Sequence, residues 1–185
     1  MIPLAAMGLV SATGAWLLGR AFEVQADEHN VSIPVSGITG KQWLDFVRVC
    51  SNGNPKAVTP SNRLGIFELS VRRLCDLGAM TRPRIVDNVW QGEWVQPKNL
   101  DSFKGDLMAQ YSLFARSISD YAADPIVLLH KGCIVGSETM TLSGVLAVAN
   151  RAGMQGLASW VASPSEREKF SRNTTSFFQR ANNLF

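Results

Sequence analysis

Cys50-Ser51-Asn52-Gly53-Asn54-Pro55-Lys56-Ala57-Val58, continued by Leu64-Gly65-Ile66-Phe67-Glu68-Leu69-Ser70 and Leu74-Cys75-Asp76-Leu77-Gly78, is the stretch on which the reading of this chain turns. Just before it, Trp43, Leu44, Phe46, Val47 and Cys50 recur at i, i+3, i+4 and i+7, which lines apolar side chains along one face of a helix. Thr39 stands where a side-chain oxygen caps the first helical N–H groups. The Asn, Gly and Pro residues between Ser51 and Pro60 end that helix in a turn. From Phe67 to Leu77 the helical spacing returns, with Phe67, Val71, Leu74 and Cys75 on one face, Arg72 and Arg73 exposed, and Gly78 as C-terminal cap. The pattern is helix, polar turn, short Gly-led apolar passage, helix.

Working outward, the chain has 185 residues, which suits one domain with an appendage and is long enough to bury a core. Its 46% hydrophobic and 18% charged composition excludes global disorder. The net charge of +3 is mild and favours approach to anionic surfaces such as a cell wall or membrane. There is no Gly-rich phosphate loop, internal repeat or low-complexity tract, and nucleic acid is not an expected partner. Cys50, Cys75 and Cys133 have neither CxxC nor Cys/His spacing, so they predict no disulfide framework and no zinc site, although a Cys50–Cys75 bridge stays open. No metal and no cofactor are expected.

Residues 1-22 read as an apolar N-terminal helix: Arg20 is the first charged side chain. The run Leu4 to Leu18 is rich in Gly, Ala, Ser and Thr, so two readings stand. It packs against other protein, including sister copies, or residues 1-19 contact a membrane, which takes roughly 20 apolar residues to span. Residues 23-40 form a linker with an acidic patch and Pro34, and His29 there lacks a partner pattern. The body of the domain is 41-162. Residues 163-185 make a basic C-terminal tail with Phe170, Phe177, Phe178 and Phe185 along it, a terminal helix that docks on the domain or on a neighbour.

Inside the body, Met80 to Leu100 reads as irregular, interrupted by Pro83 and Pro97. Trp90 and Trp94 flank Gly92; such a pair either stacks on the apolar face of a pyranose or plugs the core beneath a loop. Asp101 to Tyr121 is expected as one helix, Asp124-Pro125 opens another that closes at Gly132, and Thr139 to Asn150 is a buried helix. Gly153 ends that helix, and Leu157 to Val161 makes a short successor.

The opening stretch resembles the catalytic segment of the soluble lytic transglycosylases and phage muramidases, whose pattern is Glu-Ser-Gly-Gly-Asn-Pro-x-Ala-Val followed by Gly-x-(Tyr/Phe/Met)-Gln. Trp90-Gln91-Gly92-Glu93-Trp94 through Leu107-Met108-Ala109-Gln110-Tyr111 resembles the middle of those domains. Thr141-Leu142-Ser143-Gly144-Val145-Leu146-Ala147-Val148-Ala149, with Gly153 and Gly156, resembles their later helix pair. The match runs from Trp43 to Val161. It implies a mostly α, lysozyme-like helical domain whose glycan cleft holds Ser51, Asn54, Phe67, Trp90, Trp94, Gln110 and Tyr111.

Cys50 stands where that family carries its catalytic glutamate, and Asn150 where it usually has His. Glycan cleavage requires an acid, protonated near neutral pH, to deliver a proton to the glycosidic oxygen. A thiol, with an ordinary pKa of about 8.5, is a poor donor to such an oxygen. The resemblance therefore implies a catalytically degenerate domain, a structural and wall-contacting part of a virion, in a phage tail or ejection assembly. Its partners are then other tail proteins, copies of itself and peptidoglycan. The alternative is an active muramidase or lytic transglycosylase with Glu68, one residue past Phe67 in the place of the family's Gln, as its acid. A third reading, Cys50 as nucleophile, needs a His to take its proton, and only His29 and His130 are available.

Overall fold

Four rings from three segments make the centre of the core. Trp43 and Phe46 lie on the apolar face of α1 (Gly40–Cys50), where Thr39 and Gln42 form a reciprocal capping box. Phe114 stacks on Phe67 with ring centres 4.1 Å apart and planes 11° from parallel, and Trp43 lies 5.9 Å from Phe114 on another side. Each such pair adds about 0.5–1.5 kcal/mol beyond the area it buries. Trp43 Nε1 donates to the Tyr111 hydroxyl, which satisfies both polar tips inside the apolar layer.

The computed structural model describes residues 33–96, 98–168, 170 and 172–185. The expected N-terminal helix 1-22, most of the linker and His29 lie outside the described residues. After α1 the chain forms a small antiparallel ladder, β1 (Arg63–Leu64) with β2 (Leu69–Ser70). The helix expected from Phe67 starts only at Val71, as α2 (Val71–Asp76). Ser70 Oγ accepts from Arg73 N at 3.2 Å and caps it there, while Glu68, at φ 47°, is bent out of helical geometry.

Met80 to Leu100, expected to be irregular, is instead mostly an antiparallel hairpin of β3 (Met80–Val86) and β4 (Val89–Trp94). Its turn is Asp87-Asn88, both at positive φ (50° and 61°), the two-residue geometry that matches the twist of paired strands. Pro83 obscured the strand, yet it falls where the register breaks between Thr81 and Arg84, a place that tolerates a missing N–H. The helix expected over Asp101 to Tyr121 is two, α3 (Leu100–Gly105) and α4 (Leu107–Ala122). Asp106 leaves helical geometry between them, and its carboxylate accepts from Ala109 N at 2.8 Å to start the second. Next come α5 (Pro125–His130), capped by Asp124, and a minimal ladder of β5 (Ile134–Val135) with β6 (Glu138–Thr139).

The long helix α6 (Leu142–Ala162) is broken at Gly153 (φ 73°, ψ 175°), so the two helices expected on either side of that glycine are its two arms. The first starts at Leu142 rather than Thr139, because Thr139 pairs with Ile134 in the β5–β6 ladder and Thr141 caps the helix. Every residue from Ser143 to Asn150 is buried. A helix apolar all round has to be wrapped on all sides, and α4, α5, α7 (Pro164–Glu168) and α8 (Arg172–Ala181) do so. The described chain is thus mostly α, at about 53% helix.

The tail belongs to this wrapping. Phe177, Phe178 and Ala181 are buried, and α8 packs on both α6 and α1. The Asn182 amide ties it down: Oδ1 accepts from Thr141 N at 2.8 Å, and Nδ2 donates to Thr139 O at 3.0 Å. Gly144 faces this joint, and a Cβ there would run into Asn182 Oδ1 and the Phe178 ring. Asn182→Ala leaves the Thr141 N–H and the Thr139 carbonyl without their partner, so it is expected to cost about 2 kcal/mol. A urea denaturation midpoint indistinguishable from wild type for this variant and for Gly144→Ala would show that the tail is not clamped in this way.

Candidate functional site

Gly65 begins the turn between β1 and β2 at φ 75°, and Glu68 closes it. A left-handed glutamate is unfavourable by itself, and the backbone is held on both sides: Glu68 N donates to Gly65 O at 3.1 Å, and Arg63 Nε donates to Glu68 O at 2.7 Å. One carboxylate oxygen accepts from Asn52 Nδ2 at 3.0 Å, and the other is paired with Arg151 Nη1. The two ion-pair side chains are mostly buried, 16% exposed for Glu68 and 8% for Arg151. Arg151 also lies over the Phe177 ring at 4.5 Å, and Arg63 Nη2 reaches Asn150 O at 2.8 Å. Two arginines thus fasten the turn to the first arm of α6, just before its break.

The electrostatics follow. Burial pushes the Glu68 carboxyl up, but the Asn52 hydrogen bond and the positive charges of Arg151 and Arg63 outweigh it and hold the group below the usual carboxylate range. Burial together with Arg151 lowers Arg63 to about 10, which leaves it charged at neutral pH. Cys50 is 1% exposed, and burial drives its thiol far up against the pull of Arg151 and Arg180. All three cysteines are free, so the Cys50–Cys75 bridge is not formed. His130 is bonded through Nδ1 to Ile126 O at 2.7 Å within α5.

The remaining sequence candidates separate into three groups. Ser51 and Asn54 shape their own turn, accepting from Gly53 N and Lys56 N at 3.0 Å each. Phe67, Gln110 and Tyr111 are core side chains, 1%, 1% and 2% exposed, with no face left for a glycan. Gln110 is a clamp: it accepts from Ile66 N at 2.8 Å and donates to Phe103 O at 2.8 Å and Pro55 O at 3.1 Å. That close approach is why residue 65 is glycine, since a Cβ would collide with the Gln110 side chain. Trp94 packs on Phe103 with ring centres 5.1 Å apart.

Trp90 stands in a different setting, on the wall of an open groove of about 540 Å³ between β1, α2, β4, the α4–α5 corner and the break in α6. Arg72 lies over its ring at 5.6 Å. Arg73 is engaged across the groove with Ser117 Oγ and Asp120, each at 2.8 Å, and lies over the Tyr121 ring at 4.5 Å. Asn150, Gly153, Met154 and Gln155 form the α6 side.

Sequence reasoning missed Asn52, Arg63 and Arg151. Nothing in their local spacing marks them, because the contacts that join them to other segments, Asn52 to Glu68, Arg63 to Asn150 and Arg151 to Glu68, span 16, 87 and 83 residues. Among the described residues no group of three or more His, Cys, Asp or Glu side chains is placed to hold a metal ion, and no helix is long and apolar enough to cross a membrane. Compared with protein-family models, with curated proteins and with solved structures, the chain matches none.

The depressed Glu68 carboxyl contributes stability that is fully present above the ordinary glutamate pKa of about 4.3 and is lost as pH falls through its lower folded value. Glu68→Gln, which strands the Arg151 charge, is expected to cost on the order of 2 kcal/mol at neutral pH and to flatten the acid limb. Denaturation midpoints across the acid range test this, and equal acid slopes for the two proteins would refute it.

Proposed function

We propose that this chain is a lysozyme-like helical domain without a working general acid, serving as a structural, cell-wall-contacting component of a phage tail or ejection assembly. The observation that carries the proposal is the state of Glu68. A general acid must hold its proton near neutral pH, and Glu68 is a carboxylate locked between Asn52 and Arg151. Cys50, where the resembled enzymes keep their glutamate, is sealed in the core and offers a cleft no proton. The motif order from Trp43 to Val161 supports the lysozyme-like reading and the virion setting. The groove beside Trp90 supports contact with the envelope. In this reading the partners are other tail proteins, copies of the chain itself and peptidoglycan, with residues 1-19 packing on protein or touching membrane.

The test is loss of turbidity of purified peptidoglycan with wild type and Glu68→Gln, alongside co-sedimentation with the same material. The expected result is co-sedimentation without clearing by either protein. Clearing by wild type that vanishes in the variant would instead make the chain an active muramidase or lytic transglycosylase with Glu68 as its acid. Protein left entirely in the supernatant would remove wall contact from the reading.

A further inference from the structure

We propose that the aliphatic patch exposed on α5 and β5 is the docking site for the chain's own apolar segment at Trp16-Leu17-Leu18. Docking of this kind is independent of wall contact, and it selects packing on protein over membrane for residues 1-19.

Val127 is the one buried residue of α5. Ile126, Leu128 and Leu129 face solvent, 38% to 74% exposed, and Ile134 on β5 is 73% exposed. Cys133 Sγ donates to Leu129 O at 3.7 Å, so Ile134 continues the patch from the end of the helix. A helix with aliphatic side chains on its outward arc leaves apolar surface in water that a partner normally covers. Four side chains exposed to this degree make a patch on the order of 400 Å², about half of what one partner of a stable dimer buries. A second copy therefore gains too little here, whereas a segment of the same chain docks without the full cost of association.

The segment matches the patch in chemistry and is within reach of it. From Met1 to Gly19 no side chain is charged, and Trp16, Leu17 and Leu18 stand together at the end nearest the domain. A route of contacts joins the entry of α1 to the patch. Gln42, in the capping box with Thr39, donates through Nε2 to Leu184 O at 3.0 Å. Asn182, two residues earlier, donates to Thr139 O, and Thr139 pairs with Ile134. Such a path covers roughly 30 Å, and the chain from Leu18 to Ile33 alone extends about 50 Å. The charges agree as well: exposed Lys131 borders the patch, and the linker that follows the segment carries Glu23, Asp27 and Glu28.

The experiment uses the full chain carrying Leu18→Cys, oxidised with diamide. A disulfide needs Cβ atoms within about 4.5 Å of each other, so the bridge reports what the segment lies against. The expected product is an intramolecular disulfide from the introduced thiol to Cys133, beside Leu129, in preference to Cys75 on α2. With the native segment in place, Leu129→Asp is an exposed change that leaves the core intact. It is expected to speed tryptic cleavage after Arg20 about tenfold, the loss of one aliphatic contact. Bridges between two chains would assign the patch to a second copy. A bridge to Cys75, no bridge at all, or an unchanged cleavage rate in Leu129→Asp would place the segment elsewhere. Flotation of the wild type on phosphatidylglycerol vesicles, with that rate unchanged, would give the segment to a membrane. Each of these results overturns the proposal.

Discussion

The first arm of α6 exposes no side: Ser143 through Asn150 are all buried, and the rest of the described chain is arranged to cover it. Burying a helix all round requires neighbours on every flank, and among the described residues the tail supplies one of them. Hence α8, which by composition reads as a polar basic extension, carries Phe177, Phe178 and Ala181 into the core. Gly144 lets the tail approach closely enough for Asn182 to join it to Thr141 and Thr139. The buried arm also fixes where the groove lies, because α6 becomes available to solvent just past Asn150.

Polar side chains serve as the joints of this packing. Gln110 holds three backbone groups from the 55, 66 and 103 regions around the Gly65 turn, and the Glu68–Arg151 pair with Arg63 holds that turn to α6. Buried ion pairs add little net stability over an apolar replacement, because desolvation offsets the attraction, yet breaking one side is costly. Such joints define where one segment lies against another. Their consequence for chemistry is direct: a glutamate used as a joint is ionised and occupied, so it has no proton to give. Of the two arginines that hold Glu68 ionised, Arg63 also lines the groove beside Trp90.

Part of the fold was legible from local pattern. The cap at Thr39, the helix to Cys50, the turn after it, the Asp124-Pro125 start and the break at Gly153 all rest on interactions within a few residues. The misread elements are those where two local signals compete. Pro83 argues against a strand that a register break accommodates, Phe67 continues a helical spacing that the Glu68 turn cuts off, and Asp106 falls inside a helical spacing that it interrupts to cap a new helix. Of the site candidates, Glu68 and Trp90 lie at polar, accessible or ion-paired positions, whereas Phe67, Gln110 and Tyr111 lie in the core. Spacing tells which face of an element a residue occupies, not what that face meets.

By itself the sequence determined the mostly helical character, the positions of caps and breaks, and the absence of a glutamate at position 50, since each depends on residue type and near neighbours. Only the tertiary structure decided that Glu68 is an ionised partner of Arg151, that Cys50 is sealed, and that Asn150, Arg63, Arg72 and the restart of α6 share one groove. Those outcomes depend on burial and on charges brought together across dozens of residues, and a side chain's protonation and accessibility are properties of what surrounds it in space.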